Sequence, residues 1–88
     1  MMVVASQGRI ELVEVLLEYQ ANVHLVNDEG ETALYIACKS NHKDIAKLLL
    51  KNGANVNSVQ EDRTPLVKAC QKGFKEVVEV LLEHNANL

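Results

Sequence analysis

The sequence predicts an all-α solenoid of stacked helix-turn-helix units that are joined by hairpin-like loops. The first observation is a segment that recurs without gaps, as LLEYQANV (16–23), LLKNGANV (49–56) and LLEHNANL (81–88). The second is that these copies are 33 and then 32 residues apart, since a fixed period of roughly 20–50 residues is typical of stacked supersecondary units. The third is that each copy ends an apolar run with helical spacing.

The middle copy shows how one unit is built. Thr32 offers a side-chain oxygen that can cap a helix, and an apolar run follows it over residues 33–38. A second apolar set with helical spacing covers 45–50 and stops at Gly53, a residue that suits the left-handed end of a helix. From Ala54 the chain is rich in polar turn residues, which indicates a loop. Each unit is therefore predicted to consist of a helix, a turn, a second helix and a loop.

The third copy follows the same order. Thr64 again precedes the first helix, and Pro65 suits the first helical position because its missing N–H would have no partner there. The turn between the two helices carries Gly8, Asn41 and Gly73 in the successive copies. Glycine and asparagine adopt positive φ more readily than other residues, so we expect a left-handed residue at this turn.

Composition places the chain among ordinary globular domains. It has 88 residues, of which 48% are hydrophobic and 24% charged, and this predicts one small domain. The apolar start MMVVA is too short for a signal-peptide core or a membrane span, so we expect a soluble intracellular protein, cytoplasmic or nuclear. A net charge of −3, two tyrosines and one phenylalanine argue against direct binding of nucleic acid.

The segments GETALYIACKSNHKDIAKLLLKNGANVN and RTPLVKACQKGFKEVVEVLLEHNANL resemble ankyrin repeats, whose pattern is close to G-x-TPLH-x-A-x-x-x-G-H-x-x-[IV]-V-x-[LV]-LL-x-x-GA-[DN]-VN. The resemblance covers essentially the whole chain as a single ankyrin-repeat domain. It predicts a partial first repeat over 1–27, a second over 28–60 and a third over 61–88. It also implies a piece of a longer array, and self-association through uncapped repeat ends stays open.

Four positions depart from that pattern: Tyr35, Val67, Gln20 and Asn85. The family histidine is Tyr35 in the second repeat and Val67 in the third, so the hydrogen bonds of that histidine are not expected here. The glycine after the second helix is replaced by Gln20 in the first repeat. Glutamine in a left-handed backbone conformation should cost about 1 kcal/mol.

The resemblance implies a non-catalytic protein-protein interaction module, which binds a protein partner through loop tips and the exposed side of the first helices. Tyr35 could add an aromatic anchor or pack between first helices, and Ser6 and Gln7 occupy the corresponding inner positions of the first repeat. The alternative is a structural spacer within a larger ankyrin scaffold, without a partner of its own. Acidic tips and a basic inner face predict a partner of mixed charge. The predicted partner-binding residues are Asp28, Glu29, Glu31, Ile36, Lys39, Ser40, Glu61, Asp62, Arg63, Lys68, Gln71 and Lys72.

An enzyme is not predicted. Cys38 and Cys70 fall at the same repeat position, where we expect both to pack as small apolar groups. The sequence contains no CxxC, HExxH or GxSxG motif and no Gly-Lys-Ser/Thr loop, so the ligand spacing of zinc, hydrolase and nucleotide sites is absent. No cofactor, metal or catalytic residue is therefore expected.

Two further hypotheses concern single residues and charge patterns. Asn57 matches the family position that an asparaginyl hydroxylase modifies in some ankyrin proteins, while an asparagine that satisfies turn hydrogen bonds is the simpler interpretation. Aligned positions on the second helices alternate in charge and predict ion pairs between neighbouring repeats. These two columns are Glu14, Lys47 and Glu79, and Glu18, Lys51 and Glu83.

Overall fold

The computed structural model describes residues 7–58, 64–84 and 86. Within these ranges the chain forms five helices: α1 (Ile10–Glu18), α2 (Ala33–Lys39), α3 (Lys43–Lys51), α4 (Pro65–Lys72) and α5 (Lys75–Glu83). The described part contains one isolated antiparallel bridge, between Val26 and Thr32. The predicted succession of helix, turn, helix and loop is confirmed. None of the described helices is long and apolar enough to cross a membrane.

α2 is the first helix of the second repeat and α4 the first helix of the third, and both begin at the predicted threonine caps. The N–H of Tyr35 donates to Thr32 Oγ1 over 3.1 Å, and the N–H of Val67 donates to Thr64 Oγ1 over 3.3 Å. Pro65 occupies the first turn of α4. Each cap satisfies one of the backbone donors that a helix start leaves without an intrahelical partner, which explains why the two helices begin at the same repeat position.

The turns between paired helices have the predicted left-handed residue. The backbone φ is +61° at Asn41 and +72° at Gly73, and Gly8, which precedes α1, has a φ of +71°. Gln20, which follows α1, also has a positive φ of +62°, as Gly53 does after α3. Gln20 therefore adopts a left-handed backbone conformation, which is energetically unfavourable for an L-residue with a bulky side chain.

The helices stack in two rows. α2 lies against α3 of its own repeat and against α4 of the next one, while α3 contacts both α1 and α5. The shared core includes Val13, Leu34, Ile45, Leu49 and Leu81, which are at most 1% exposed. No described repeat buries its apolar side alone, because each one is covered by its neighbour.

The two cysteines differ, and the prediction that both are packed is wrong for Cys70. Cys38 is 0% exposed in α2, and burial raises the pKa of its thiol to about 12. Cys70 on α4 is exposed. The reason is tertiary: α2 is covered by α4 on the side where Cys38 lies, whereas the described chain places no further helix against the matching side of α4.

The predicted ion-pair columns on the second helices are also wrong. Among the described residues, the ion pair between repeats joins Lys43 of α3 to Glu76 of α5, and neither Lys47 nor Lys51 forms one. Neighbouring repeats are related by a translation, so aligned residues project from the same flank of each helix. A contact needs opposite flanks, and Lys43 therefore meets Glu76 rather than its own aligned counterpart, Lys75.

Candidate protein-interaction surface

The loop between α1 and α2 is a hairpin organised by Asn27. The N–H of Asn27 donates to the carbonyl oxygen of Glu31 over 3.0 Å, and the N–H of Gly30 donates to the carbonyl oxygen of Asn27 over 2.9 Å. The side-chain oxygen of Asn27 also accepts from the N–H groups of Glu29 and Glu31, over 3.0 and 2.9 Å. Asp28 and Glu29 are exposed at the turn. We call these two residues the hairpin tip.

Glu31 does not belong to the exposed tip, which corrects the sequence-based prediction. It is 8% exposed, and its carboxylate is held on both oxygens. Lys39 Nζ lies 2.7 Å from Oε2 of Glu31, and Nδ2 of Asn27 donates to Oε1 over 3.1 Å. The carboxylate therefore connects the hairpin to α2 within one repeat.

The electrostatics of this cluster follow from its contacts. Burial by itself raises the pKa of Glu31, but hydrogen bonds from Lys39 and Asn27 outweigh it, and the charges of Lys39 and Lys68 act in the same direction. The pKa of Glu31 therefore lies below its ordinary value. The hydrogen bond to Glu31 raises the pKa of Lys39 against the opposing effect of its partial burial, and the charge of Glu29 adds to the increase. Charged groups of the hairpin, of α2 and of α4 therefore lie close enough to act on the Glu31–Lys39 pair.

Three lysines on the first helices form a second surface, which we call the basic palm: Lys39, Lys68 and Lys72. Lys39 keeps 33% of its side chain exposed while it is bound to Glu31. Lys68 is half-buried and Lys72 is exposed. These two residues are four positions apart on α4, so they lie on one face of the helix. The palm therefore carries two lysines beyond the one that Glu31 neutralises.

The remaining predicted contact residues divide into three groups. Gln71 is exposed and Ser40 half-buried beside the palm lysines. Ile36 is only 5% exposed, and its predicted place on the binding surface is wrong because α2 is covered by α3 and α4. Tyr35 is also 5% exposed, so it offers a partner little aromatic surface. Three predicted tip residues and one inner residue lie outside the described part of the chain: Glu61, Asp62, Arg63 and Ser6.

Asn57 lies in the loop after α3. Its N–H donates to the side-chain oxygen of Asn55 over 3.0 Å, and the residue is half-buried. The side chain that forms this turn hydrogen bond belongs to Asn55, as is common for asparagine in turns. Hydroxylation of Asn57 stays a prediction.

Sequence reasoning missed the role of Asn27 and the pairing of Glu31 with Lys39. A signal for Asn27 was present, because an asparagine three residues before Gly30 is typical of a tight turn. The pairing had no such signal, since Glu31 and Lys39 belong to a loop and to the end of a helix. Among the residues that the structure describes, no group of three His, Cys, Asp or Glu could hold a metal ion.

Paired helices, left-handed turns, a hairpin that projects beyond them and translation from one unit to the next together define a helical repeat solenoid. The family described as ankyrin repeats, in three copies, matches residues 1–88. The chain belongs to the ankyrin repeat family. Ankyrin repeats are generally protein-protein interaction modules, and their fold is typically non-catalytic. The boundaries predicted for the individual repeats stay a prediction.

Known proteins of several functions contain similar segments. The chain is 36% identical over 55 residues to protein phosphatase 1 regulatory subunit 27 of Homo sapiens, which covers 62% of this chain and 36% of that protein. It is 42% identical over 53 residues to E3 ubiquitin-protein ligase KEG of Arabidopsis thaliana, covering 59% of this chain and 3% of the ligase. The chain thus spans well under two thirds of the length of these relatives.

A solved structure is similar over almost the whole chain. The human ASB11 ankyrin repeat domain superimposes with a TM-score of 0.92 at 40% sequence identity, and the match covers 98% of this chain and 39% of that domain. Together with the family match, this similarity confirms the predicted all-α ankyrin solenoid.

Proposed function

We propose that this chain binds a protein partner across the hairpin tip and the basic palm. The main support is that Glu31 binds Lys39 within the repeat. Lys68 and Lys72 are then the lysines of the basic palm that can pair with a partner. An acidic segment of the partner contacts these two lysines. Such complementarity mainly selects partners and speeds association.

The hairpin tip adds negative charge to this surface beside the positive charge of the basic palm. Asp28 and Glu29 are exposed on a loop that Asn27 holds by hydrogen bonds to backbone and side chain. A preorganised loop loses less conformational entropy when it binds than a mobile one does. A basic group of the partner meets the tip, so the expected partner surface carries both charges.

Affinity capture with matched variants tests this proposal. The palm variant carries Lys68→Glu and Lys72→Glu, and its control carries Lys47→Glu and Lys51→Glu, the same charge change on the exposed side of α3. Circular dichroism and thermal unfolding first establish that both are folded. Proteins that bind the wild type and the control, but bind the palm variant at least about tenfold less tightly, support the proposal. Equal specific capture by all three chains would contradict the palm as the binding surface, and no specific capture at all would favour the structural spacer.

A further inference from the structure

A cleft of about 270 Å³ lies between α1 and α3, the second helices of neighbouring repeats. Residues of both helices line it: Glu14, Leu17 and Glu18 of α1, and Leu48 and Asn52 of α3. We call this feature the α1–α3 cleft. Both of its walls belong to the described part of the chain, and the basic palm lies on other helices, so the cleft is a separate surface between two repeats.

Part of the cleft lining is apolar. Leu17 and Leu48 are half-buried and pack against the core, so each keeps some surface that an apolar group could cover. Nδ2 of Asn52 donates to the carbonyl oxygen of Leu48 over 2.9 Å, which holds the asparagine side chain against α3. The cleft therefore offers two leucine side chains against which an aliphatic chain could lie.

Two carboxylates lie beside these leucines. Glu14 and Glu18 are exposed and four positions apart, so they lie on the same face of α1 and repel each other. Within residues 7–58, 64–84 and 86, neither carboxylate forms an ion pair. Glu18 is also the last residue of α1, whose last turn contains no basic residue, so its charge lies unfavourably at the negative end of the helix dipole. A cation bound in the cleft would relieve both effects.

The next contact along the stack, between α3 and α5, differs in both respects. Its residues aligned with the two glutamates are Lys47 and Lys51, so the charge is reversed. The residue aligned with Leu48 is Val80, which is only 5% exposed, whereas Leu48 is half-buried. The combination of accessible leucine and unpaired carboxylate is therefore a property of the α1–α3 cleft and does not recur at the contact between α3 and α5.

We propose that the α1–α3 cleft binds an arginine side chain of a protein partner. The methylene stem of the arginine lies along Leu17 and Leu48, as long cationic side chains commonly do on apolar surfaces. Its guanidinium reaches Glu14 and Glu18, because its several N–H donors can form charge-assisted hydrogen bonds with two carboxylates. The cleft lining contains no cationic residue and would repel the carboxylate of free arginine, which favours an arginine within a peptide chain. This proposal is independent of the hairpin tip and the basic palm.

NMR titration of the isotope-labelled chain with a blocked alanine peptide that carries one central arginine tests this site. The control peptide carries citrulline, which is neutral and nearly isosteric, at the same place. The arginine peptide should shift the signals of Leu17, Leu48 and Asn52 to saturation with a Kd below about 10 mM, and the citrulline peptide should bind at least about tenfold less tightly. A lysine peptide should also bind less tightly, because an ammonium group lacks the planar fork of donors. No saturable shift at these residues, or binding of either control peptide as tightly as the arginine peptide, would overturn the proposal.

Matched variants separate the cleft from the overall charge of the chain. Glu14→Gln combined with Glu18→Gln should weaken binding of the arginine peptide at least about tenfold, because both carboxylates lose their charge. Glu79→Gln combined with Glu83→Gln makes the same change at the aligned positions of α5 and should leave the affinity within about twofold of the wild type. Circular dichroism first establishes that both variants are folded. Equal weakening by the two pairs would show that only net charge attracts the peptide and would overturn the proposal. Because the signals are read at the cleft, the result does not depend on whether the basic palm binds a partner.

Discussion

Lys39 Nζ lies 2.7 Å from Glu31 Oε2, so the hairpin that precedes α2 is tied to the last turn of the same helix. The pair is largely enclosed, with side-chain exposures of 33% for the lysine and 10% for the glutamate. It neutralises one lysine of the basic palm, and it buries the carboxylate of Glu31 beside the exposed hairpin tip.

Replacement of Lys39 by alanine should lower the free energy of unfolding by about 1–3 kcal/mol, because a buried carboxylate loses its charged hydrogen-bond donor. Urea denaturation of the wild type, Lys39→Ala, Glu31→Gln and the double variant measures the coupling. The double variant should cost less than the sum of the two single changes. Lys72→Ala serves as the exposed control and should change stability by less than about 0.5 kcal/mol. Fully additive costs would contradict the contact.

The contribution of Glu31 should depend on pH in a defined direction. Its pKa is lowered from 4.5, so the stabilisation is present above pH 4.5 and is lost as the pH falls through the folded-state pKa. The pKa of Lys39 is raised from 10.5, so its contribution is complete below pH 10.5 and is lost as the pH rises through the folded-state value. The stability difference between the wild type and Glu31→Gln should therefore form a plateau between these limits. A difference that does not decline below pH 4.5 would contradict this assignment.

Gly8→Ala should destabilise the chain more than Gly73→Ala. Both glycines have nearly the same φ, +71° and +72°, so both substitutions share the left-handed penalty of about 1 kcal/mol. A Cβ at Gly8 would also approach Cε1 of His42 to 2.7 Å, whereas a Cβ at Gly73 has no neighbour within 4 Å. Thermal unfolding of the two variants isolates the contact with His42. Adding His42→Ala to both should bring their costs together, and a persistent gap would point to another cause.

Gln20→Gly should stabilise the chain by up to about 1 kcal/mol, because it relieves a φ of +62° at an exposed position where glycine carries no Cβ penalty. The greater freedom of glycine in the unfolded chain opposes part of the gain. Gln20→Ala is the matched control, since it removes the same side chain and keeps the Cβ. Chemical denaturation should rank glycine above alanine. Equal stability of the two variants would show that φ is not the source of the cost.

The repeat, the helix starts and the turns can be predicted from the amino-acid sequence alone. Thr32 and Thr64 cap helices through bonds to residues three positions away, and Gly8, Asn41 and Gly73 take the left-handed conformation. These features depend on residues close together in the chain, so their chemistry can be recognised locally. The period of about 33 residues then predicts the ankyrin solenoid without knowledge of any particular contact.

Which sides of neighbouring helices meet, and which residues they cover, depends on how the repeats pack against each other. Lys43 pairs with Glu76 although the aligned charges had suggested Lys47, because translated repeats bring opposite helix flanks together. Cys70 is exposed while Cys38 is buried, since burial depends on whether another helix lies alongside. The repeat pattern shows what neighbouring repeats have in common, whereas the contact between two repeats joins different sides of each one. The pattern alone therefore does not show which residues meet.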